Sequence, residues 1–284
     1  MLNIFCFGYG QVAKCFIKQL SKKNKINLSY TSRYAEKKKN SYKVFKLNEK
    51  NYDPKIVEQL YNSDFVLVSI PPINGEDIVI KHFSKNLKLL NVKWLTYLSA
   101  TSVYGDHDGN WVNEKDLTKP TSKNGIDRLS AENSWISLSK DSNLPIQIFR
   151  LSGIYSKSNN ILNRLKSGSA RIINKKNHFF SRIHLEDIAN ILIKSMTNFQ
   201  SGEVFNISDD RPASTEEITT YAAELLNIKV PEKIGLENLE DGMLKNFYKD
   251  SKKVNNDKMK KFFKYKLKFP SFVEGLKDIR DKNF

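Results

Sequence analysis

Phe7-Gly8-Tyr9-Gly10-Gln11-Val12-Ala13 is the stretch on which the fold turns. Upstream of it Leu2–Phe7 is a near-continuous apolar run, the pattern of a strand covered on both faces. Downstream, Val12, Phe16, Ile17 and Leu20 recur at helical spacing within Gln11–Leu20. A G-x-G-x-x-A sequence at a strand-to-helix junction has a physical logic. Gly8 permits the tight turn, and Gly10 lets the backbone approach a pyrophosphate with no Cβ in the way. Ala13 is small enough for helix and strand to pack closely, and the helix N-terminus offers amide donors and its dipole. The motif therefore implies a dinucleotide site built from Gly8, Tyr9, Gly10, Gln11 and Val12.

Working outward, β-rich runs alternate with helical patterns, which signals a parallel sheet with crossovers. The expected strands are Ile26–Thr31, Lys43–Lys46, Phe65–Ser69, Trp94–Ser99 and Pro145–Arg150. The intervening helices are expected at Pro54–Tyr61, Ile78–Leu90 and Ile126–Ser139, with a polar loop over Gly105–Ser122. Later, Ile161–Leu165, Leu185–Met196, Ser214–Leu226, Asp257–Phe263 and Ser271–Ile279 read as helices, and His178–Ile183 and Glu203–Ile207 as strands. The fold class is α/β: a Rossmann-type doubly wound parallel sheet with a small mixed α/β C-terminal substrate lobe. Residues 1–155, with returning segments near 178–210, are expected to form the NADP(H)-binding domain, and residues 156–284 mainly the substrate lobe, in one compact body.

The second strand sets the cofactor preference. It ends Tyr30-Thr31-Ser32-Arg33, with no acid before Glu36 to take a ribose 2′-hydroxyl. Ser32 can hydrogen-bond a 2′-phosphate and Arg33 can pair with it, so NADP(H) is favoured over NAD(H).

Composition bounds the rest. The 284 residues carry a net charge of +16, supplied mainly by lysines spread along the whole chain. No finger spacing, RNP-like strand or basic zipper accompanies them, so the sequence points away from nucleic acid. No apolar run is long enough to span a bilayer, and the N-terminus lacks the features of a signal peptide, so no membrane and a cytoplasmic location are expected. Cys6 and Cys15 suggest no disulfide framework, and the four histidines show no metal-ligand spacing, so no metal is expected.

Five further stretches appear in order. They are Val68-Ser69-Ile70-Pro71-Pro72, Leu98-Ser99-Ala100-Thr101-Ser102-Val103-Tyr104-Gly105, Phe149-Arg150-Leu151-Ser152-Gly153-Ile154-Tyr155, Arg182-Ile183-His184-Leu185-Glu186-Asp187-Ile188 and Gly202-Glu203-Val204-Phe205-Asn206-Ile207-Ser208-Asp209-Asp210. With the glycine loop they resemble the extended, epimerase/dehydratase-like branch of the short-chain dehydrogenase/reductase superfamily. The resemblance implies that Ser69, Ile70, Pro71 and Ser99 line the cofactor, and it makes Arg182 a candidate for an anionic group of the substrate. It also implies chemistry by a Tyr-x-x-x-Lys pair and a Ser/Thr hydroxyl. Aligned on Ala131-Glu132, however, the tyrosine position is Asn124, the lysine position Arg128 and the hydroxyl position Ala100. Asn cannot exchange a proton as a phenol does, and Arg128 stays charged. The chain is thus similar to the atypical members that lack the standard pair.

Thr101, one position from the usual hydroxyl, and Tyr104 are then the candidate catalytic groups, with Arg128 orienting cofactor ribose or substrate. Tyr104 has a second reading as a packed aromatic anchoring its loop. His184 and Asp187 read as a helix-start arrangement, and His107-Asp108 lies on a loop that suits either a lid or an ordinary turn. Two functions stay open: an NADP(H)-dependent oxidoreductase or epimerase-like enzyme on a small polar, sugar-derived molecule, and a non-catalytic NADP(H) sensor acting through a partner. A nucleic-acid-associated regulator has only the charge in its favour. Helix-paired dimers are common among such relatives, which leaves a homodimer as the expected assembly by resemblance alone.

Overall fold

The computed structural model describes residues 1–34, 42–175, 177–235, 237 and 248–283; Glu36 lies outside them. A seven-stranded parallel sheet forms the centre, in the order β11-β7-β5-β4-β1-β2-β3. Its strands are β1 (Leu2–Phe7), β2 (Ile26–Ser32), β3 (Lys43–Lys46), β4 (Phe65–Val68), β5 (Trp94–Ala100), β7 (Ile146–Leu151) and β11 (Val204–Ile207). The doubly wound order confirms the Rossmann-type class. β4 and β7 are buried at every position, as strands covered on both faces must be.

By contacts the chain divides into two compact units: Met1–Ala100, Lys123–Arg150 and Ile188–Phe205 in the first, the remainder in the second. In the first, α1 (Gln11–Leu20) buries Val12, Ala13, Phe16, Ile17 and Leu20 along one stripe. On the opposite face of the sheet lie α2 (Lys55–Tyr61), α3 (Ile78–Leu87) and α4 (Lys123–Ser142). Phe5, Phe7, Leu60, Val79, Phe83, Tyr97 and Trp135 form the core there. Asp77 starts α3 by accepting from Val79 N and Ile80 N, at 2.9 and 3.1 Å.

In the second unit α5 (Ile161–Lys166), α7 (Thr215–Leu226) and the C-terminal helix Phe272–Asn283 share a core with Tyr155, Ala213 and Leu276. Ser214 caps α7 by accepting from Glu217 N, and Asn227 ends it with a left-handed φ of +53°. Three two-stranded parallel sheets complete the unit: β8 (Gly153–Tyr155) with β10 (Arg182–His184), β9 (Ile172–Asn174) with β12 (Lys233–Gly235), and β6 (Trp111–Val112) with β13 (Lys253–Val254).

One expected strand differs from what is observed. His178–Ser181 is not strand; His178 instead stacks on Tyr248 at 4.9 Å and meets Phe180 edge-on at 4.3 Å. Thr101–Ser122 groups by contacts with the second unit, within which Trp111–Val112 pairs with Lys253–Val254.

Candidate functional site

The glycine turn has the geometry that the motif requires. Gly8 sits at φ +83°, and a Cβ there would lie 2.9 Å from Ile70 Cγ1 and from Ser69 Oγ. Its amide donates to Thr31 Oγ1 at 2.9 Å, tying the turn to the end of β2. A Cβ on Gly10 would meet nothing within 4 Å, so the space in front of that residue is open. Gly10 is the N-cap of α1, and no side chain caps it, so the first-turn amides face that space. A pyrophosphate fits such a cradle. Ser69 Oγ lies 3.1 Å from both Phe7 O and Gly8 O, so it braces the turn. Tyr9 stacks on Tyr30 with ring centroids 4.3 Å apart. Ser32 is half-buried at the end of β2, and Arg33 follows it, exposed.

Around α4 the family-type positions are far from the usual chemistry. Asn124 is exposed in the first turn of the helix. Arg128, one turn on, donates from Nη1 to Leu98 O at 2.5 Å, which fixes the guanidinium to the backbone of β5. Burial pushes the Asp77 carboxyl up from the ordinary range; its bonds from Ile80, Trp135 and Val79, and the charge of Arg128, pull the other way. The Tyr97 hydroxyl is buried beside Arg128 and Asp77. Ser99 Oγ, on the same face of β5, is buried with no hydrogen-bond partner among the described residues. Below, Glu132 holds Arg150 by a buried fork, Nη2 to Oε2 at 2.7 Å and Nε to Oε1 at 3.1 Å.

The remaining candidates belong to the second unit. Thr101 opens a 3₁₀ turn, Thr101–Tyr104, and is partly exposed. Tyr104 is fully buried, and its hydroxyl donates to Asn206 Oδ1 at 2.8 Å. Asn206 N in turn donates to Glu114 Oε1 at 2.7 Å. Tyr104 therefore anchors its loop, the second of its two readings, and Thr101 is left as the more accessible hydroxyl. His107 Nε2 lies 3.1 Å from Tyr104 O and 3.2 Å from Leu117 O, where a ring N–H bridges both carbonyls. Asp106 accepts from Ser251 N and Asp108 N. With β6 paired to β13, this stitching makes the Asp-His-Asp-Gly segment an ordinary turn of a fastened loop rather than a lid.

Arg182 donates to Phe180 O and Ala213 O at 3.0 and 3.2 Å, with its guanidinium over the Phe180 ring. Burial draws its pKa down to about 10, against the pull of Asp209, so it stays charged at neutral pH. Asp209 Oδ2 is buried without a hydrogen-bond partner among the described residues, and burial pushes that carboxyl well up. His184 Nδ1 accepts from Glu186 N at 3.2 Å, so the ring is the cap of α6 (Leu185–Thr197) and burial holds it neutral, with a pKa of about 4. Asp187 stands in the first turn of α6, where an acidic group suits the helix N-terminus as expected, and it also reaches beyond its own helix. Its carboxylate takes Tyr265 Oη, Lys268 N and Phe269 N at 2.7, 2.7 and 3.0 Å, pinning the distant tail. That role carries no local sequence signal.

Among the described residues no group of three or more His, Cys, Asp or Glu side chains is placed to hold a metal ion. Among them, too, no helix is long and apolar enough to cross a membrane. The family model described as NAD dependent epimerase/dehydratase family matches residues 77–208. No curated protein matches the chain. Among solved structures, a functionally unknown conserved protein from Silicibacter pomeroyi DSS is 30% identical, covers 99% of each chain and superposes with a TM-score of 0.87. The UDP-glucuronic acid 4-epimerase from Bacillus cereus in complex with NAD is 17% identical, over 98% of this chain and 95% of that one, with a TM-score of 0.79. The dTDP-glucose 4,6-dehydratase from Bacillus anthracis str. Ames in complex with NAD is 17% identical, over 100% and 97%, with a TM-score of 0.78. At that identity the last two speak for the fold.

Proposed function

The chain belongs to the NAD-dependent epimerase/dehydratase family, and from that premise we propose that it is an NADP(H)-dependent oxidoreductase or epimerase-like enzyme acting on a small polar, sugar-derived substrate. The observation that carries this reading is the glycine turn: Gly8 locked at positive φ against Ser69 and Ile70, beside a Gly10 that faces open space. In this reading Gly8, Tyr9, Gly10, Gln11 and Val12 hold the pyrophosphate, Ser69, Ile70, Pro71 and Ser99 border the cofactor, and Ser32 and Arg33 take the 2′-phosphate. The nicotinamide, when bound, supplies hydride exchange at C4. Thr101 offers a hydroxyl to the substrate oxygen, and Arg128, fixed by Leu98 O, supplies a permanent positive charge. Arg182 offers its charge to an anionic group of the substrate, as the neighbours named for their UDP-sugar or dTDP-sugar chemistry suggest by analogy.

Calorimetric titration with NADPH and, separately, NADH tests the cofactor half of the proposal, with tighter binding of NADPH expected. Turnover of a carbonyl panel with NADPH, lost in Thr101→Ala while NADPH binding persists, tests the catalytic half. A specific observation favours a second reading, a non-catalytic sensor: Asn124 is exposed where the phenol would stand, and Arg128 is tied to the backbone. Tight NADPH binding with no turnover across the panel decides for the sensor. If neither dinucleotide binds, both readings fall.

A further inference from the structure

We infer that Lys46 is a cofactor-specificity residue, reaching the 2′-phosphate from β3 alongside Ser32 and Arg33. This deepens the NADP(H) reading above and rests on it. β2 and β3 pair in parallel with Ser32 opposite Lys46, and Leu47 N donates to Ser32 O at 2.9 Å just beyond the pair. Residues directly opposite in adjacent strands are separated by roughly 4.8 Å, and their side chains leave the sheet on the same face. The register is pinned by burial: Phe45 and Leu47 are 8% and 1% exposed on the other face, and a slip of one residue would bury the ammonium of Lys46 instead.

The same face carries a continuous surface back to the glycine turn. Tyr30, two residues before Ser32, stacks on Tyr9 of the G-x-G sequence. Ser32 Oγ accepts from Tyr34 N at 3.4 Å, which leaves its hydroxyl hydrogen to donate outward. Among the described residues neither Arg33 nor Lys46 has an ion-pair partner. A phosphomonoester carries about −1.5 to −2 charge at neutral pH, more than one guanidinium neutralises. Arg33 supplies a planar fork and Lys46 a compact point charge, two complementary modes of holding the same dianion. Nothing in NADH calls for the second cation.

The test compares NADPH and NADH affinities of the native chain, Lys46→Met and Lys46→Glu by calorimetry at two salt concentrations, with thermal unfolding as the check on folding. Lys46 is exposed, so both variants are expected to fold. The expected result is about a tenfold loss of NADPH affinity in Lys46→Met, a larger loss in Lys46→Glu, and NADH affinity unchanged in both. The salt dependence of NADPH binding should also weaken in Lys46→Met, because one phosphate contact is gone. Equal losses for both dinucleotides would place Lys46 against the shared adenosine and overturn the inference, as would no loss for either. If the native chain binds neither dinucleotide or prefers NADH, the underlying NADP(H) reading fails first; if it prefers NADPH and Lys46→Met leaves that preference intact, only the role of Lys46 fails.

Discussion

Two alanine substitutions two residues apart should separate the folding role of the glycine turn from its binding role. At Gly8 an alanine meets two penalties. The φ of +83° is disfavoured for an L side chain by roughly 1–2 kcal/mol. The new methyl would also stand 2.9 Å from Ile70 Cγ1 and Ser69 Oγ. Relief requires Ser69 to swing away from Phe7 O and Gly8 O, losing a hydrogen bond of about 1 kcal/mol. Gly8→Ala should therefore destabilise by about 2–4 kcal/mol in urea unfolding.

At Gly10 the φ of −76° suits any residue, and an added Cβ touches nothing within 4 Å. The only structural loss is an alanine in place of glycine at an N-cap, about 0.5–1 kcal/mol. Yet that methyl occupies the space in which a pyrophosphate would meet the α1 amides. Calorimetry should show NADPH affinity reduced by at least about tenfold, which is ~1.4 kcal/mol, in a protein that unfolds nearly as the native one does. If Gly10→Ala binds NADPH within about twofold of native, no phosphate approaches there, and the assignment of the cradle is wrong.

Glu132→Ala should destabilise by about 3–5 kcal/mol in denaturant unfolding, because it removes the carboxylate that forks onto the buried Arg150 guanidinium, whose side chain is only 8% exposed. A double change of Glu132 and Arg150 to Leu and Met should recover much of that loss; equal instability of the single and double variants would show that breaking the charge pair is not the cause. Acidification should weaken the fold through His178 and His184, both held neutral by burial with folded pKa values of about 4 against an ordinary 6.5. The unfolded chain binds those protons first, so stability should fall as pH drops from about 6.5 toward 4. His184→Phe should flatten that slope, and an unchanged pH profile in the variant would contradict the assignment. Asp187→Ala leaves the amides of Lys268 and Phe269 without their acceptor, at about 1–3 kcal/mol for each that stays buried. Hydrogen exchange should then show lost protection from Tyr265 onward, whereas exchange spread evenly over the second unit would argue against a local pin.

What could be read from the chain in advance follows a physical line. Leu2–Phe7, Gln11–Leu20, Lys43–Lys46 and Asp257–Phe263 lie where hydrophobic pattern and turn residues place them, since each is decided by its own neighbours. The glycine turn is legible for the same reason. The strands Trp111–Val112, Gly153–Tyr155, Ile172–Asn174, Lys233–Gly235 and Lys253–Val254 are not, because two or three residues hold no period and each exists through a remote partner. His178–Ile183 shows the converse: its alternation suggests a strand, but the aromatic contacts of His178 and Phe180 with Tyr248 take precedence over most of it. At the candidate site, the reach of Tyr104 to Asn206, of Asp77 to Trp135 and of Lys46 to the Ser32 position all depend on pairings that no local pattern reveals.

The pairing of β6 with β13 also constrains how the chain can be made. Trp111 leaves the ribosome about 140 residues before Lys253, its partner in the sheet. At roughly 5–20 residues per second, that strand waits on the order of 7–28 s for its complement. Trp111, 54% exposed even in the finished fold, stays uncovered throughout the wait. The second unit therefore cannot fold in the order of synthesis, and a nascent chain stalled before residue 253 would present an unpaired strand edge to whatever chaperone or sticky neighbour meets it.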